Sequence, residues 1–201
     1  VANVADLVVA IPDIDDIMGR ITDALRSGDR TPIVIELGNG SSDAAESLAR
    51  DIAAFRFALG SLSESDALEV RMMHSIAPCA YDGCTVTDER DRKPPVVIAQ
   101  GMWSCATFIG GGRPVKPGCV SQADHGVLVI TNAQDMSRNT LRSVLEATSS
   151  GAASIIRVSG VYTMPARALP VLIVAKRDAE TEPIEHLLAK LDEIGTTKVV
   201  L

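Results

Sequence analysis

Three short, almost unbroken apolar runs constrain this chain most: Thr31–Leu37 (TPIVIEL), Gly126–Thr131 (GVLVIT) and Val171–Ala175 (VLIVA). A strand that is apolar at consecutive positions has to be covered on both faces, which is the situation of a parallel sheet between layers of helices. Helical spacing follows each run. After the first comes a turn at Gly38-Asn39-Gly40-Ser41-Ser42, and then Ala45, Leu48, Ile52, Phe55 and Leu59 recur at three- and four-residue intervals. After the second, Ser137 is placed to cap a helix carrying Leu141, Val144 and Leu145. After the third, Ile184–Ile194 carries Leu187, Leu188 and Leu191. Val96–Ala99 and Lys198–Leu201 read as further strands, Ser154–Val158 with Gly160–Met164 as a hairpin, and Glu69–Ile76 as one more strand from its alternation. Strands alternating with helices predict a three-layer α/β fold around a mainly parallel sheet. Without an internal repeat or a clean linker, residues 1–201 are expected to form one domain.

Composition narrows the possible functions. Aromatic residues make up only 3% of the chain, so the core must be built from Val, Ile, Leu and Ala. A net charge of −7 argues against a partner with a phosphate backbone, which would require a basic face. Leu7–Ile11, like the other apolar stretches, is too short to span a bilayer, and no export signal is evident. Cys79, Cys84, Cys105 and Cys119 lack the paired spacing of a zinc site, so reduced cysteines in a cytoplasmic protein are expected.

The second half of the chain carries an ordered set of motifs. Gly110-Gly111-Gly112 precedes Pro117-Gly118-Cys119-Val120-Ser121-Gln122-Ala123-Asp124-His125-Gly126-Val127-Leu128. Ser137-Arg138, Leu141, Gly151, Ile155, Arg157 and Pro165-Ala166-Arg167 follow without a gap. Upstream stand Asp13–Arg20 (DIDDIMGR), Leu59–Val70 (LGSLSESDALEV) and His74-Ser75. This order resembles the Mg-chelatase-like family of AAA+ proteins, and most of all its bacterial competence-protein (ComM-type) branch. That family carries a GGG loop, a PxPGE-S-A-H-GVLFLDE segment, an ISR strand and a PAR triplet. The resemblance implies a P-loop/AAA+ core with a five-stranded, mainly parallel sheet and a β-hairpin insertion around Ser154–Met164. The family's helical lid is not expected here.

Read residue by residue, the same resemblance implies that the chemistry is gone. A phosphate loop uses backbone amides, a lysine reaching the β- and γ-phosphates, and a Ser or Thr hydroxyl on Mg²⁺. Gly38, Asn39, Gly40, Ser41 and Ser42 stand in the position of such a loop, yet no lysine occurs before Lys93. Asp43 and Glu46 follow instead. The family's Asp-Glu pair, which holds Mg²⁺ and polarises water, falls on Thr131 and Asn132. Its sensor asparagine falls on Ala175, and its His-His pair on Gln100-Gly101.

The expectation is therefore a catalytically inactive AAA+ module without a cofactor or metal. It would act as a scaffold or regulatory subunit in a homo-oligomer or beside a related ATPase. One alternative is an active chelatase-type or DNA branch-migration ATPase that uses ATP and Mg²⁺ at an atypical site, and a second is a small-molecule or anion-binding module that uses the glycine loop at Gly38–Ser42. Three other groups stand outside this pattern. His74 and His125 stand isolated in the sequence and read as surface or hydrogen-bonded histidines rather than ligands, and Asp124-His125 as neighbours pointing to opposite faces of an extended segment. Arg113 and Lys116 read as solvated loop charges. Trp103 and Phe108 read as a contact patch or as cover for the sheet edge.

Overall fold

The computed structural model describes residues 13–37, 42–77, 92–175, 187, 189–192 and 199–200. Five strands form the central sheet: β1 (Ile33–Leu37), β2 (Val96–Gln100), β5 (Val127–Thr131), β8 (Leu169–Ala175) and β9 (Val199–Val200). Their order is β2-β5-β8-β1-β9, and every neighbouring pair is parallel. The three apolar runs are the three inner strands. All seven residues of β8 and all five of β5 are buried.

Alternate residues of each strand feed two separate cores. On one face Ile33, Ile35, Val129, Val171 and Ile173 pack with Ile17 and Ile21 of α1 (Ile14–Ser27) and Ala45, Leu48 and Ile52 of α2 (Ser42–Ala54). On the other, Val34, Val97, Leu128, Ile130 and Leu172 meet Leu141, Val144 and Leu145 of α6 (Arg138–Ser150). Phe108 of α4 (Cys105–Ile109) and Val120 of α5 (Cys119–Gln122) join this second core, with Trp103 packed at its margin. Trp103 and Phe108 are thus core cover, 6.4 Å between ring centroids, and not a contact patch. Leu187 and Leu191 also belong to this face.

Local signals set the helix ends. Asp13 caps α1 and Gly28 closes it at φ 72°, while Ser137 caps α6 by accepting from the Thr140 amide and Gly151 closes it at φ 75°. The hairpin pairs β6 (Ala152–Arg157) with β7 (Gly160–Pro165), in register from Ala152 opposite Pro165 to Arg157 opposite Gly160. Within the glycine loop, β3 (Gly110–Gly111) and β4 (Lys116–Pro117) make a two-residue antiparallel pair.

One expected strand is a helix. Glu69–Ile76 lies inside α3 (Glu64–Ile76), whose N-terminus is capped by the Ser63 hydroxyl accepting from the Asp66 amide. Ala67, Val70 and Met73 face inward at a helical interval, while Leu68, Met72 and Ile76 stay exposed on another side. Two apolar stripes on one helix imitate alternation along a strand.

Candidate functional site

In a parallel α/β sheet, ligands bind outside the carboxyl ends of the strands. Here those ends are Leu37, Gln100, Thr131 and Ala175. The expected phosphate-loop residues Gly38, Asn39, Gly40 and Ser41 lie outside the described residues. Ser42 opens α2, and its side chain is also outside them.

Several of the described groups at this edge are tied to one another, while Asn132 Oδ1 and Gln134 Oε1 are buried without a hydrogen bond among the described residues. Thr131 ends β5 fully buried, and its hydroxyl donates to the Ala99 carbonyl at 3.3 Å. Asn132 follows in the left-handed region (φ 51°, ψ 48°) and is 6% exposed. The Gly101 amide donates to the Thr131 carbonyl at 2.8 Å. A Cβ on Gly101 would sit 2.2 Å from the Asn132 carbonyl oxygen, so β2 and β5 exit in close contact. From α2, Glu46 places one carboxylate oxygen 3.5 Å from Gln100 Nε2 and the other 3.1 Å from Arg50. Gln134 donates to the Ala175 carbonyl at 3.1 Å, and Lys190 Nζ donates to the carbonyls of Gln134 and Met136 at 3.0 Å each. Burial lowers the Lys190 pKa from its ordinary value.

Among the described residues, the groups at this edge differ from the donor set of a Mg-nucleotide site. Phosphate oxygens need cationic and N–H donors, and Mg²⁺ needs a carboxylate or a free hydroxyl. Among the described residues, the edge offers a carboxylate at Glu46 already facing Gln100 and Arg50, a hydroxyl at Thr131 donated to the Ala99 carbonyl, the neutral side chain of Asn132, and a Lys190 ammonium donated to backbone carbonyls.

A second constellation lies at the opposite edge, where β5 and β8 begin. Asp124, 1% exposed, accepts from the Arg167 amide at 2.7 Å, from Nε at 3.1 Å and from Nη2 at 2.7 Å. The same guanidinium reaches the Glu69 carboxylate on α3. His125 Nε2 stands 3.3 Å from Glu69, 3.6 Å from Asp66 and 3.7 Å from Asp124. The hydrogen bond from Arg167, with that from His125, holds the Glu69 pKa below its usual range, and Asp124 raises that of Arg167. His74 is separate: its Nε2 lies 2.8 Å from the Gln122 carbonyl, and burial lowers its pKa.

One expectation fails here. His125 is a hydrogen-bonded histidine, as expected, but Asp124-His125 is a turn rather than an extended segment, with His125 at φ 61°. That backbone turn swings the ring back toward the carboxylate that precedes it. Glu69, Asp124 and His125 offer ligand atoms within 4.8 Å of one another. The Arg167 guanidinium already bridges the two carboxylates, so the cluster is an ion-pair network and not a vacant metal centre. A cleft of about 430 Å³ opens beside it between α1, residues 58–63 and Arg167.

Sequence reading missed this network as a unit, although each member lies in a segment that carries the resemblance: Glu69 in DALEV, Asp124 and His125 before GVL, Arg167 in PAR. Arg113 and Lys116 are exposed, as expected of solvated loop charges. Cys105 is exposed and Cys119 buried, neither in a disulfide, and Cys79 and Cys84 lie outside the described residues. No helix among the described residues is long and apolar enough to cross a membrane.

Comparison with known proteins agrees with the topology. Uncharacterized proteins of Mycobacterium bovis and Mycobacterium tuberculosis are each 34% identical over 116 residues, 57% of this chain. The match spans only 22% of the length of those relatives. Among solved structures, a complex of the BchI and BchD subunits of magnesium chelatase superposes with a TM-score of 0.57 at 16% identity, covering 96% of this chain and 60% of that one. NtrX of Brucella abortus in complex with ADP superposes with a TM-score of 0.51 at 14% identity, covering 93% of this chain and 34% of that one. Both are likenesses of fold. The family described as magnesium chelatase, subunit ChlI, matches residues 40–185, and the chain, with its parallel P-loop-type sheet, belongs to that Mg-chelatase-like AAA+ family.

Proposed function

We propose that this chain is a catalytically inactive member of its family, a scaffold or regulatory module that assembles with a related ATPase subunit. The observation that carries this reading is the end of β5. Where the family resemblance calls for Asp-Glu, a buried threonine hydroxyl is donated to the neighbouring strand and an asparagine occupies a left-handed turn. Glu46 adds to the obstacle from α2. A carboxylate about 4 Å from a phosphate charge opposes binding by roughly 1 to 4 kcal/mol at effective dielectrics of 80 to 20. The helix dipole at the start of α2 returns at most about 1 kcal/mol. The subunit role is supported by the BchI–BchD complex, in which the structurally similar chain stands beside a partner.

The test is a titration of a fluorescent ATP analogue against the parent and a restored variant. The variant carries Ser42→Gly, Asp43→Lys, Ala44→Thr and Glu46→Gln in α2, with Thr131→Asp and Asn132→Glu. The parent is expected to bind nothing and the restored variant to bind in a Mg²⁺-dependent manner. Binding by the parent would refute the inactive reading. A folded variant that still binds nothing would refute the identification of this edge as a former nucleotide site.

A further inference from the structure

The β6–β7 hairpin stands apart from the central sheet as a two-stranded ribbon. β7 pairs with β6 alone among the described residues, and Gly160–Thr163 are exposed. Backbone groups in an antiparallel pair alternate between the partner and the open side. With the hairpin closed between Arg157 and Gly160, the N–H and C=O groups of Val161 and Thr163 point to the open side. Exposed edges of this kind are usually blunted by charge, by a bulge or by proline within the strand. This one has none of these. Its register is regular throughout, its one proline is the last residue of β7, and the only charged side chain from residue 152 to 165 is Arg157.

The solvent-facing side of the ribbon is apolar as well. Ile156 and Val161 are a cross-strand pair, 79% and 65% exposed, and Val158 at the turn is fully exposed. β-branched cross-strand pairs stabilise sheets when a neighbouring strand extends the surface.

We propose that a second copy of this chain pairs with the open edge of β7, joining two hairpins into one four-stranded antiparallel sheet. Two features favour a second copy over another strand. The edge is self-complementary: a two-fold axis at Tyr162 sets Val161 opposite Thr163 of the other copy, so the open-side groups of each meet their counterparts. Charge points the same way. Two copies with a net charge of −7 each repel over most of their surfaces, and this ribbon, free of acidic residues, lets them approach without opposed carboxylates. The contact is small beside a standard interface, so the association is concentration-dependent. This inference is independent of whether the chain binds nucleotide.

The experiment is sedimentation equilibrium over a concentration series for the parent, Thr163→Pro and Val161→Lys, with hydrogen exchange at Val161 and Thr163. Thr163→Pro removes an open-side N–H without touching the β6 ladder, and Val161→Lys adds a charge at the edge without changing the backbone. The parent is expected to form a reversible dimer with slow exchange at both amides, and each variant to weaken it at least about tenfold, with a melting temperature equal to the parent's at concentrations where both are monomeric. A parent that stays monomeric would overturn the proposal. So would a dimer that Val161→Lys leaves intact, or slow exchange at both amides in a monomer, which would mean that another segment of the same chain covers the edge.

Discussion

Truncating Arg167 to alanine is the most informative single perturbation of the network at the start of β5 and β8. It strips Asp124, 1% exposed, of two of its three donors from Arg167 and leaves only the backbone amide at 2.7 Å. Breaking a buried ion pair from one side generally costs about 3 to 5 kcal/mol. The Arg167 side chain is 30% exposed and the amide bond survives, so solvent screening reduces the expected cost to roughly 2 to 3 kcal/mol. At about 2 to 4 °C per kcal/mol for a chain of this length, the melting temperature should fall by roughly 4 to 12 °C. Glu69→Gln removes the other, 45% exposed partner and should cost no more than about 1 kcal/mol. Calorimetry at neutral pH on both variants, with Asp124→Asn/Arg167→Met as the double replacement, separates the contributions. The double variant should recover part of the loss, because no buried charge is left alone. Arg167→Ala and Glu69→Gln with equal cost would refute the assignment of the strong half of the network to Asp124.

Two further outcomes follow from single residues. Burial lowers the His74 pKa below 6.5, so the unfolded chain takes up the proton first and the stability contributed by the neutral ring is lost as pH falls through the folded value. Urea unfolding at a series of pH values below 6.5 should show a shallower loss in His74→Gln than in the parent; parallel slopes would refute it. Gly101→Ala would force a Cβ to within 2.2 Å of the Asn132 carbonyl, and overpacking of this kind costs about 1 to 3 kcal/mol or more. The urea midpoint should drop at unchanged slope, and an unchanged midpoint would mean that the two strand exits are not held in contact.

What could be read from the sequence follows from what burial does to composition. β1, β5 and β8 stand out because strands covered on both faces lose their polar positions, and β5 and β8 are buried throughout. The hairpin and the Ser137 cap are equally visible, since turn and capping chemistry is local. α3 is not, because Leu68, Met72 and Ile76 form a second, exposed stripe beside the buried one. The Arg167 network is a different case. Its partners lie 43 and 98 residues apart in the chain, and the φ of 61° at His125 that folds Asp124 and His125 together leaves no compositional trace. Thr131 and Asn132 can be placed at the end of β5 from the motif alone, whereas the donation of the Thr131 hydroxyl to Ala99 depends on strand order.

Whether the strand-end edge holds Mg-nucleotide, against the inactive reading proposed above, is read out most directly by the melting temperature of the protein in a series of Mg-ATP concentrations. A ligand bound only by the folded state stabilises it by RT ln(1 + [L]/Kd), about 2.7 kcal/mol at a hundredfold excess over Kd. For a chain of this length that is roughly 5 to 11 °C. An inactive module shows no shift up to millimolar Mg-ATP, and a saturable, Mg²⁺-dependent rise of that size would contradict the inactive reading.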